Sequence, residues 1–448
     1  MQDVHELSHG QLVTLVQRMA TEIAALRQEN DLLRSQLRAK GPGSGLPPFV
    51  KPNRPAKPAG KKAQRKKRTQ SFVRRREMPT HRVEHHLEHC PKCGGCLSRE
   101  TAHRTRQVVD IVFVPVNITE HVLYRGYCPA CDKWHLAKVG AADGVVGKHR
   151  VGIHLMSLIA TLNKVCRVTQ RGIQRLLKTL YGVHISLGEI TAILQAVAKW
   201  GKGEVEKILA QVRGSPVVHA DETGWRQDGR NGYVWVACTQ TARYFRIAMS
   251  RAGAVIQEIL GDDFAGTLVT DGYSGYNWYL GPRELCWVHI LRELHDLKEE
   301  HKENTSVVRW TCAVTALYRE AKAVDWSIVK ESERHSRANR YEARLLKLLE
   351  PYLKDREAPQ HAPSAHMHRH IKHLFTFVRR PEVPTDNNPA ERALRPVVIA
   401  RKVSGGTRSE SGSDTTSVLQ TLFSTWQMRG QDPLQECIQM VLAVATST

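Results

Sequence analysis

Apolar positions recur along this chain at several different spacings, and each spacing predicts a different kind of element. Near the amino terminus the intervals alternate between four and three residues, which selects Leu12, Val16, Met19, Ile23, Leu26, Asn30, Leu33 and Leu37. Leucine or methionine at one core position, mostly β-branched residues at the other and a single core Asn30 favour a parallel two-stranded coiled coil. The alternative is an amphipathic helix that packs on its own domain. We expect residues 1–40 to form a dimerising leucine zipper.

Helical spacing returns between residues 141 and 212. Segments 168–178 and 181–194 are predicted to be two helices joined by a glycine-containing turn. Ser186, with Glu189 three residues later, fits a capping box at the start of the second helix. The pair resembles a helix-turn-helix, so DNA contact and plain helical packing both remain open for this region.

Short apolar runs bounded by proline or glycine predict a sheet in the middle of the chain. A strand from Val217 delivers Asp221 to its exposed end, and a strand from Gly266 ends in the same way at Asp271. Between these two strands we predict further strands at 233–238 and 242–249 and a helix at 252–260. A fifth strand is predicted at 285–289. Three strands, a helix and a strand match the RNase H-like fold, in which the first and fourth strands lie side by side.

A long, charged helical stretch follows the fifth strand, and it is too long for a loop within a compact domain. We interpret residues 293–377 as an all-α insertion before a helix that starts after Pro389 and carries Glu391. The expected fold is multidomain α+β. Its parts are a coiled coil at 1–40, a basic linker at 41–80, a zinc ribbon at 81–140, a helical DNA-binding region at 141–212, an RNase H-like domain of mixed sheet and flanking helices at 213–402, and a helical tail at 403–448 that packs back on that domain.

Charge narrows the choice of partner. The net charge of +22 and the pI near 9.7 favour a polyanion, with nucleic acid preferred over a membrane surface. Between Lys51 and Arg76 there are twelve Lys or Arg and no acid, so this arm is expected to contact DNA phosphates or to be a solvated linker. The residues chosen for DNA contact are Lys61, Lys62, Arg65, Lys66, Lys67 and Arg68. No apolar run is long enough to cross a bilayer and no signal segment is evident, so a cytoplasmic, nucleoid-associated protein is expected.

Two Cys-x-x-Cys pairs, Cys90 with Cys93 and Cys128 with Cys131, flank a stretch rich in β-formers. Four thiolates at this spacing are typical of a structural zinc ribbon. Nearby residues that could substitute as ligands are Cys96, His89 and His135. A redox role suits two separated, glycine-rich pairs less well.

Three acids carry the candidate chemistry. Asp221 and Asp271 at strand ends and Glu391 on a helix can converge on a pair of divalent metals, the arrangement used for in-line displacement at phosphate. Glu222 should point to the other face of its strand. Around the acids, Arg392, Arg395 and Lys402 are candidates for phosphate contact, and His289, Tyr273 and Trp225 for flanking the site, with surface ion pairs and buried packing as the respective alternatives.

In order and spacing, these segments resemble the insertion sequence 66 transposases, the TnpC-type DDE recombinases. The resemblance runs from the zipper and the cysteine pairs through His219-Ala-Asp221-Glu-Thr, Asp271-Gly-Tyr273 and Cys286-x-x-His289 to Asp386-Asn-Asn-Pro-Ala-Glu391-Arg-Ala-Leu-Arg395-Pro. One departure follows Lys402, where this chain continues Val-Ser-Gly-Gly-Thr-Arg-Ser.

The resemblance implies a nuclease and strand transferase that acts on the ends of a mobile element. Asp221, Asp271 and Glu391 would hold two Mg²⁺, with Mn²⁺ as a substitute, and no covalent protein–DNA intermediate is needed. The implied partners are double-stranded DNA of the terminal repeats and target, further copies of the chain through the zipper, and accessory transposition proteins. Two alternatives remain: a catalytically silent zinc-containing DNA-binding protein, and an RNase H-like nuclease or resolvase without strand transfer.

Overall fold

A computed structural model describes residues 78–98, 101–102, 105–109, 116–140, 143–146 and 149–446, together with Gly10, Met19, Glu22 and Ile23. The chain divides into two compact units, Met1–Asp110 and Ile111–Thr448. Of the zipper positions only Met19 and Ile23 are described, both helical and exposed. The remaining zipper positions, and all six basic-arm residues from Lys61 to Arg68, lie outside the described residues, so those assignments stay predictions.

Two short strands begin the described part of the second unit. Strand β1 (Arg125–Cys128) pairs antiparallel with β2 (Lys133–Leu136), and the second Cys-x-x-Cys sequence forms the turn between them.

Four helices then form a layer: α1 (Ile153–Lys164), α2 (Gln170–Tyr181), α3 (Leu187–Trp200) and α4 (Lys202–Arg213). Helix α2 ends at Gly182, whose φ of 66° is left-handed and therefore suits a residue without a Cβ. The Ser186 hydroxyl accepts a hydrogen bond of 3.0 Å from the Glu189 amide, so the predicted cap of α3 is confirmed. Helix α3 is largely a core element, since Ile190, Ile193 and Val197 are fully buried.

The sheet comprises β3 (Val217–Gln227), β4 (Arg230–Cys238), β5 (Arg243–Ala248), β6 (Thr267–Thr270) and β7 (Arg283–Leu285), with α5 (Ala254–Leu260) before β6. Its order is β5-β4-β3-β6-β7. Pairing is antiparallel among β3, β4 and β5 and parallel from β3 through β6 to β7. The predicted neighbourhood of the first and fourth strands is therefore confirmed.

The fifth strand was predicted two residues too late, at 285–289, whereas β7 spans Arg283–Leu285. It ends at Leu285, and Cys286 is the N-cap of helix α6 (Trp287–Glu300). Trp287, Ile290 and Leu294 lie three and four residues apart on one buried face, which is a helical spacing that a short apolar run conceals. As a result His289 lies in the first turn of a helix instead of in a strand.

Helices alone make up the rest of the segment between the sheet and Glu391. They are α7 (Thr305–Lys322), α8 (Glu331–Leu353), α9 (His361–Arg369) and α10 (Thr376–Arg379), with 3-10 turns at Trp326–Ile328 and Ile371–His373. These helices and α6 share a hydrophobic core that is separate from that of the four-helix layer. Helix α11 (Asn388–Ser404) follows, with Pro389 in its first turn, and packs on the sheet through Ala390, Ala393, Leu394 and Val397.

The chain closes with α12 (Glu410–Met428) and α13 (Pro433–Thr446), which pack on the body as predicted. Ser417, Thr421 and Thr425 lie four residues apart on α12 and accept hydrogen bonds from the β5 amides of residues 247, 245 and 243 at 3.0, 2.9 and 3.1 Å. We call these three residues the hydroxyl ladder. Among the described residues, no helix is long and apolar enough to cross a membrane.

Candidate active site

The two aspartates lie at the same end of the parallel pairing between β3 and β6. Asp271 directly follows β6, but the predicted strand end at Asp221 was wrong, because β3 continues to Gln227 in antiparallel pairing with β4. Strands β3 and β6 run parallel, with His219 opposite Val269, so both chains leave the pairing in the same direction toward Asp221 and Asp271. Asp271 accepts a hydrogen bond of 3.0 Å from the Tyr273 amide. The intervening Gly272 has a φ of +91°, a conformation that side chains rarely adopt, and it allows the sharp turn that follows the carboxylate.

The start of α11, the helix that carries Glu391, is tied to the strand that carries Asp221. The buried Asn387 side chain donates a hydrogen bond of 2.8 Å to the carbonyl of Ala220, and its backbone amide donates to Cys286 Sγ at 3.2 Å. Its Oδ1 lies 3.2 Å from Nδ1 of His219. Glu391 follows in the first turn of the helix. The third acid is therefore anchored beside the strand that carries the first.

The proximity of the three acids has an electrostatic signature. Burial, followed by the charges of Asp271, Glu222 and Glu391, raises the pKa of Asp221 to about 7. Burial also lowers the pKa of His219 to about 4, so this imidazole is neutral beside Asn387. Like charges gathered in a partly buried site stay ionised only when a cation compensates them.

Glu391 and His289 face each other across the site. His289 Nε2 lies 3.7 Å from Glu391 Oε1. Among the described residues, neither Glu391 Oε1 nor His289 Nδ1, both buried, has a hydrogen-bond partner. An unsatisfied carboxylate oxygen suits a hard divalent cation, which prefers oxygen ligands. Glu391 therefore fits a ligand of such a cation, whereas the convergence of all three acids on a metal pair stays a prediction.

Cys286 also lies within reach of this pair, since its sulfur and the nearest ligand atoms of His289 and Glu391 are within 4.8 Å of one another. Burial raises the pKa of the Cys286 thiol, and the sulfur accepts the Asn387 amide. A neutral, buried thiol that accepts a backbone amide has a structural role.

Glu222 is committed to neighbours on its own side of the strand. Its nearly fully buried carboxylate accepts hydrogen bonds from Arg251 at 2.7 Å and from the Tyr276 hydroxyl at 2.7 Å. The Arg251 guanidinium in turn lies 4.0 Å from the ring centroid of Tyr273. Glu222 is thus a support for the loop after Asp271, and its charge is one of those that act on Asp221.

The two aromatic candidates differ. Trp225 is 4% exposed, and its indole donates to Thr407 at 3.0 Å, so packing is its observed role and it offers no face to a base. Tyr273 is only part-buried, with its hydroxyl donating to the Arg251 carbonyl at 2.9 Å. Tyr273 therefore flanks the site under the guanidinium of Arg251.

The three basic candidates share one surface. Arg392, Arg395 and Lys402 are exposed on α11 at positions three and ten residues apart, along the outward face. Within the described part of the chain no carboxylate lies at ion-pair distance from them; the charged pairs of this region involve other residues. The stripe starts beside Glu391 and leads away from it along the helix.

The segment that departs from the family pattern is fixed to the sheet. Gly405 and Gly406 have φ values of 72° and 96°, and Thr407 exchanges hydrogen bonds of 2.9 Å with the backbone of Arg226 and Asp228. A Cβ on Gly406 would meet the Arg226 carbonyl, so glycine at this position is required for the close approach. The segment extends the end of β3.

Sequence reasoning missed four residues that shape the site. His219 and Asn387 stand inside quoted motifs, so their spacing to Asp221 and Glu391 could have identified them. Arg251 and His366 have no local signal. His366, from α9, lies 3.1 Å from Glu293 and next to Gly272, so a side chain of the insertion reaches the Asp271 turn.

Each Cys-x-x-Cys turn stabilises a thiolate locally. The amides of Lys92 and Cys93 lower the pKa of Cys90, and the amide of Cys131 lowers that of Cys128. In the second turn, the ligand atoms of Cys128, Cys131 and His135 lie within 4.8 Å of one another, so the expected substitute His135 is in reach. The two turns belong to different compact units, and their union in one four-thiolate site stays a prediction.

Comparison with known proteins gives two family matches. The model described as the Transposase IS66 family matches residues 148–415, and the zinc-finger binding domain of transposase IS66 matches residues 88–132. The chain is also similar to the uncharacterized protein y4jD of Sinorhizobium fredii, with 24% identity over 405 residues that cover 82% of this chain and 77% of that protein. A second relative from that organism, the uncharacterized protein y4qI, is 28% identical over 218 residues, or 43% and 38% of the two chains.

Proposed function

This chain belongs to the IS66 family of transposases, and we propose that it cleaves the 3′ ends of an insertion sequence and joins them to target DNA. The observation that carries the proposal is the position of Asp221 and Asp271 at the same end of the parallel β3–β6 pairing, with α11, which carries Glu391, tied to β3 through Asn387. The order and pairing of the five strands support an RNase H-like catalytic domain within 213–402, with the helical segment as an insertion.

Asp221, Asp271 and Glu391 would hold two Mg²⁺, with Mn²⁺ as a substitute, which when bound activate water or a 3′-hydroxyl and stabilise the leaving oxygen. The chain's own groups prepare that site. Asn387 fixes the start of α11, so Glu391 is positioned before any substrate arrives. His289 limits how far the Glu391 carboxylate can rotate, because Nε2 lies 3.7 Å from Oε1.

DNA would be held by cations that surround the acids. The exposed Arg392, Arg395 and Lys402 on α11 are oriented for successive phosphates of the strand that enters the site. The zinc domain, the basic arm and a zipper-mediated homodimer would add contacts to the terminal repeats and bring two ends together, with accessory proteins as further partners.

The test is incubation of the purified protein with duplexes that carry its own element's ends, with and without Mg²⁺, and mapping of nicked and joined positions. We expect Mg²⁺-dependent nicks at the 3′ ends and a joined product with target duplex, both absent in Asp221→Asn although DNA binding remains. Binding without nicking by the wild-type protein would favour the silent DNA-binding alternative. Nicking without joining would favour the nuclease or resolvase.

A further inference from the structure

Helix α2 carries a row of cations on the face that points away from the core. Arg171, Arg175 and Lys178 are exposed and follow a helical spacing of four and three residues, and Arg167 is exposed just before the helix. The opposite face is apolar and packs in the core shared with α1 and α3. We call these four residues the α2 basic face.

No acid balances this face. The sequence has neither Asp nor Glu from residue 144 to residue 188. The ion pairs of the four-helix layer lie elsewhere, between Arg150 and Glu189 at 3.2 Å and between Lys207 and Glu204 at 3.3 Å. Among the residues that the structure describes, none of the four cations lies at ion-pair distance from a carboxylate. A concentration of uncompensated positive charge on one helix is typical of a surface that binds a polyanion.

The second helix of the pair is a poor candidate for the same role. In a helix-turn-helix the second helix enters the groove, and its outward side chains read base edges. Here α3 buries most of its surface, and its fully exposed positions after the first turn are Ala192, Gln195 and Lys199. One cation and one amide are too few for a recognition surface, so the pair has the connectivity of a helix-turn-helix with the outward charge on the wrong helix.

We propose that the α2 basic face binds the phosphate backbone of duplex DNA, with α3 as a core helix that supports it. The inference rests on the proposed transposase function for the identity of the polyanion. From Arg171 to Lys178 the row extends about 10 Å at about 1.5 Å per residue, enough for neighbouring phosphates along one groove edge. Contacts to phosphates position a duplex without reading its sequence, so this face acts on element ends and on target DNA alike.

Arg167 adds an observation from the backbone. Its φ of 58° is left-handed, where a residue with a Cβ is strained by about 1 kcal/mol and glycine is favoured. The Asn163 side chain donates a hydrogen bond of 3.0 Å to the Val168 carbonyl and holds the turn. Arg167→Gly therefore removes a positive charge and also relieves backbone strain. A loss of DNA affinity in this variant cannot be attributed to a loss of stability.

The experiment measures DNA affinity by fluorescence anisotropy over a range of salt concentrations, with an element-end duplex and an unrelated duplex. The test variant is Arg171→Gln with Arg175→Gln. Its matched control is Arg337→Gln with Arg344→Gln, which removes two exposed arginines that are already paired with Glu333 and Glu320. We expect the test variant to bind both duplexes roughly tenfold more weakly and to lower the salt slope by about 2, since each neutralised phosphate contributes about 0.9. The control should match the wild type.

Arg167→Gly should lower the affinity for both duplexes while its melting temperature equals or exceeds that of the wild type. Three results would overturn the inference: an unchanged affinity and slope in the test variant, a loss confined to the element-end duplex, or a loss of oligomerisation by light scattering with DNA affinity intact. The last would assign the face to another copy of the chain. Strand cleavage by the Asp221→Asn variant is measured in a separate assay. A failure of the catalytic proposal therefore does not change the result for DNA binding, and a failure of the binding inference does not change the result for cleavage.

Discussion

The carboxylate site and the cysteine turns both gather anionic ligands, but over very different distances along the chain. Asp221, Asp271 and Glu391 are 50 and then 120 residues apart (271 − 221 and 391 − 271). Each cysteine turn brings its ligands together within four residues, on exposed or half-buried backbone. The carboxylate site depends on the packing of the sheet and α11, whereas each turn is formed by its own local amides.

This difference predicts where each region fails. The helix that carries Glu391 is held at its start by the buried Asn387, so we expect the position of Glu391 to be independent of a bound metal. The cysteine region contributes little to the core, so its order depends on the metal itself. Damage to the first should change chemistry or global stability, and damage to the second should be local.

The largest effect is expected from Asp221→Asn, which removes a ligand without changing side-chain volume. Strand cleavage should fall by about a thousandfold or more, because a metal ion contributes several kcal/mol to transition-state stabilisation. Quantified nicking of element-end duplexes in Mg²⁺ measures it, with Asp262→Asn as the control, since Asp262 is an exposed acid that accepts from Gln257. Equal losses in both variants would contradict the assignment.

The next effect is on metal affinity as a function of pH. In the metal-free protein the pKa of Asp221 is raised to about 7, so below that pH a cation must displace its proton. Affinity for Mn²⁺ should therefore fall about tenfold per pH unit below 7 and level off above it.

The raised pKa also affects the stability of the metal-free protein. The stabilising contribution of protonated Asp221 is fully present below about 3.8 and is lost as pH rises through about 7. Titration calorimetry and melting curves at matched pH values test both; an affinity independent of pH would contradict the raised pKa.

Asn387→Ala should have an intermediate effect, because it should lower both the free energy of unfolding and the rate of strand cleavage. Loss of the hydrogen bond to Ala220 leaves a buried carbonyl unpaired and should cost about 1–3 kcal/mol of unfolding free energy. Cleavage should fall as well, because Glu391 loses its anchor. Asn388→Ala, one residue on, serves as the control, and urea denaturation of the two variants gives the comparison. A stable Asn387→Ala protein with normal cleavage would show that α11 is held by other contacts.

The smallest effect on the sheet should come from the cysteine turn. Cys131→Ser should abolish zinc retention, measured by atomic absorption, and weaken DNA binding. The cooperative melting of the sheet should shift by less than about 0.5 kcal/mol, since surface changes of this kind remain within that range. A global loss of structure on zinc removal would erase the contrast between the two regions.

Sequence reasoning succeeded where a local pattern determines the outcome. The acid that follows β6 at Asp271, the Ser186 cap and the helix after Pro389 all follow from a few adjacent residues. The same reasoning ended the first strand too early, since β3 continues past Asp221 to Gln227. It failed at 285–289, where the four apolar residues 285–288 fit strand and helix equally. Only the helical spacing of Trp287, Ile290 and Leu294 distinguishes the two.

Tertiary contacts were beyond its reach. Nothing near Arg251 in the sequence indicates that it would clamp Glu222 and cover Tyr273, and nothing near His366 indicates that the insertion would approach Gly272. The burial of α3 is of the same kind, because it results from packing against α1, α12 and α13, which the pattern of α3 alone cannot distinguish from an exposed amphipathic helix.

The hydroxyl ladder on α12 determines how this sheet can meet other molecules. The unpaired amides of an edge strand can form hydrogen bonds with a strand of another molecule. On β5, however, the amides of residues 243, 245 and 247 already donate hydrogen bonds to Thr425, Thr421 and Ser417. A chain truncated before Ser417 would leave these backbone amides unpaired at an exposed edge of the sheet. Shortened copies should therefore aggregate by strand-to-strand pairing, because α12 is the element that occupies this edge of the sheet.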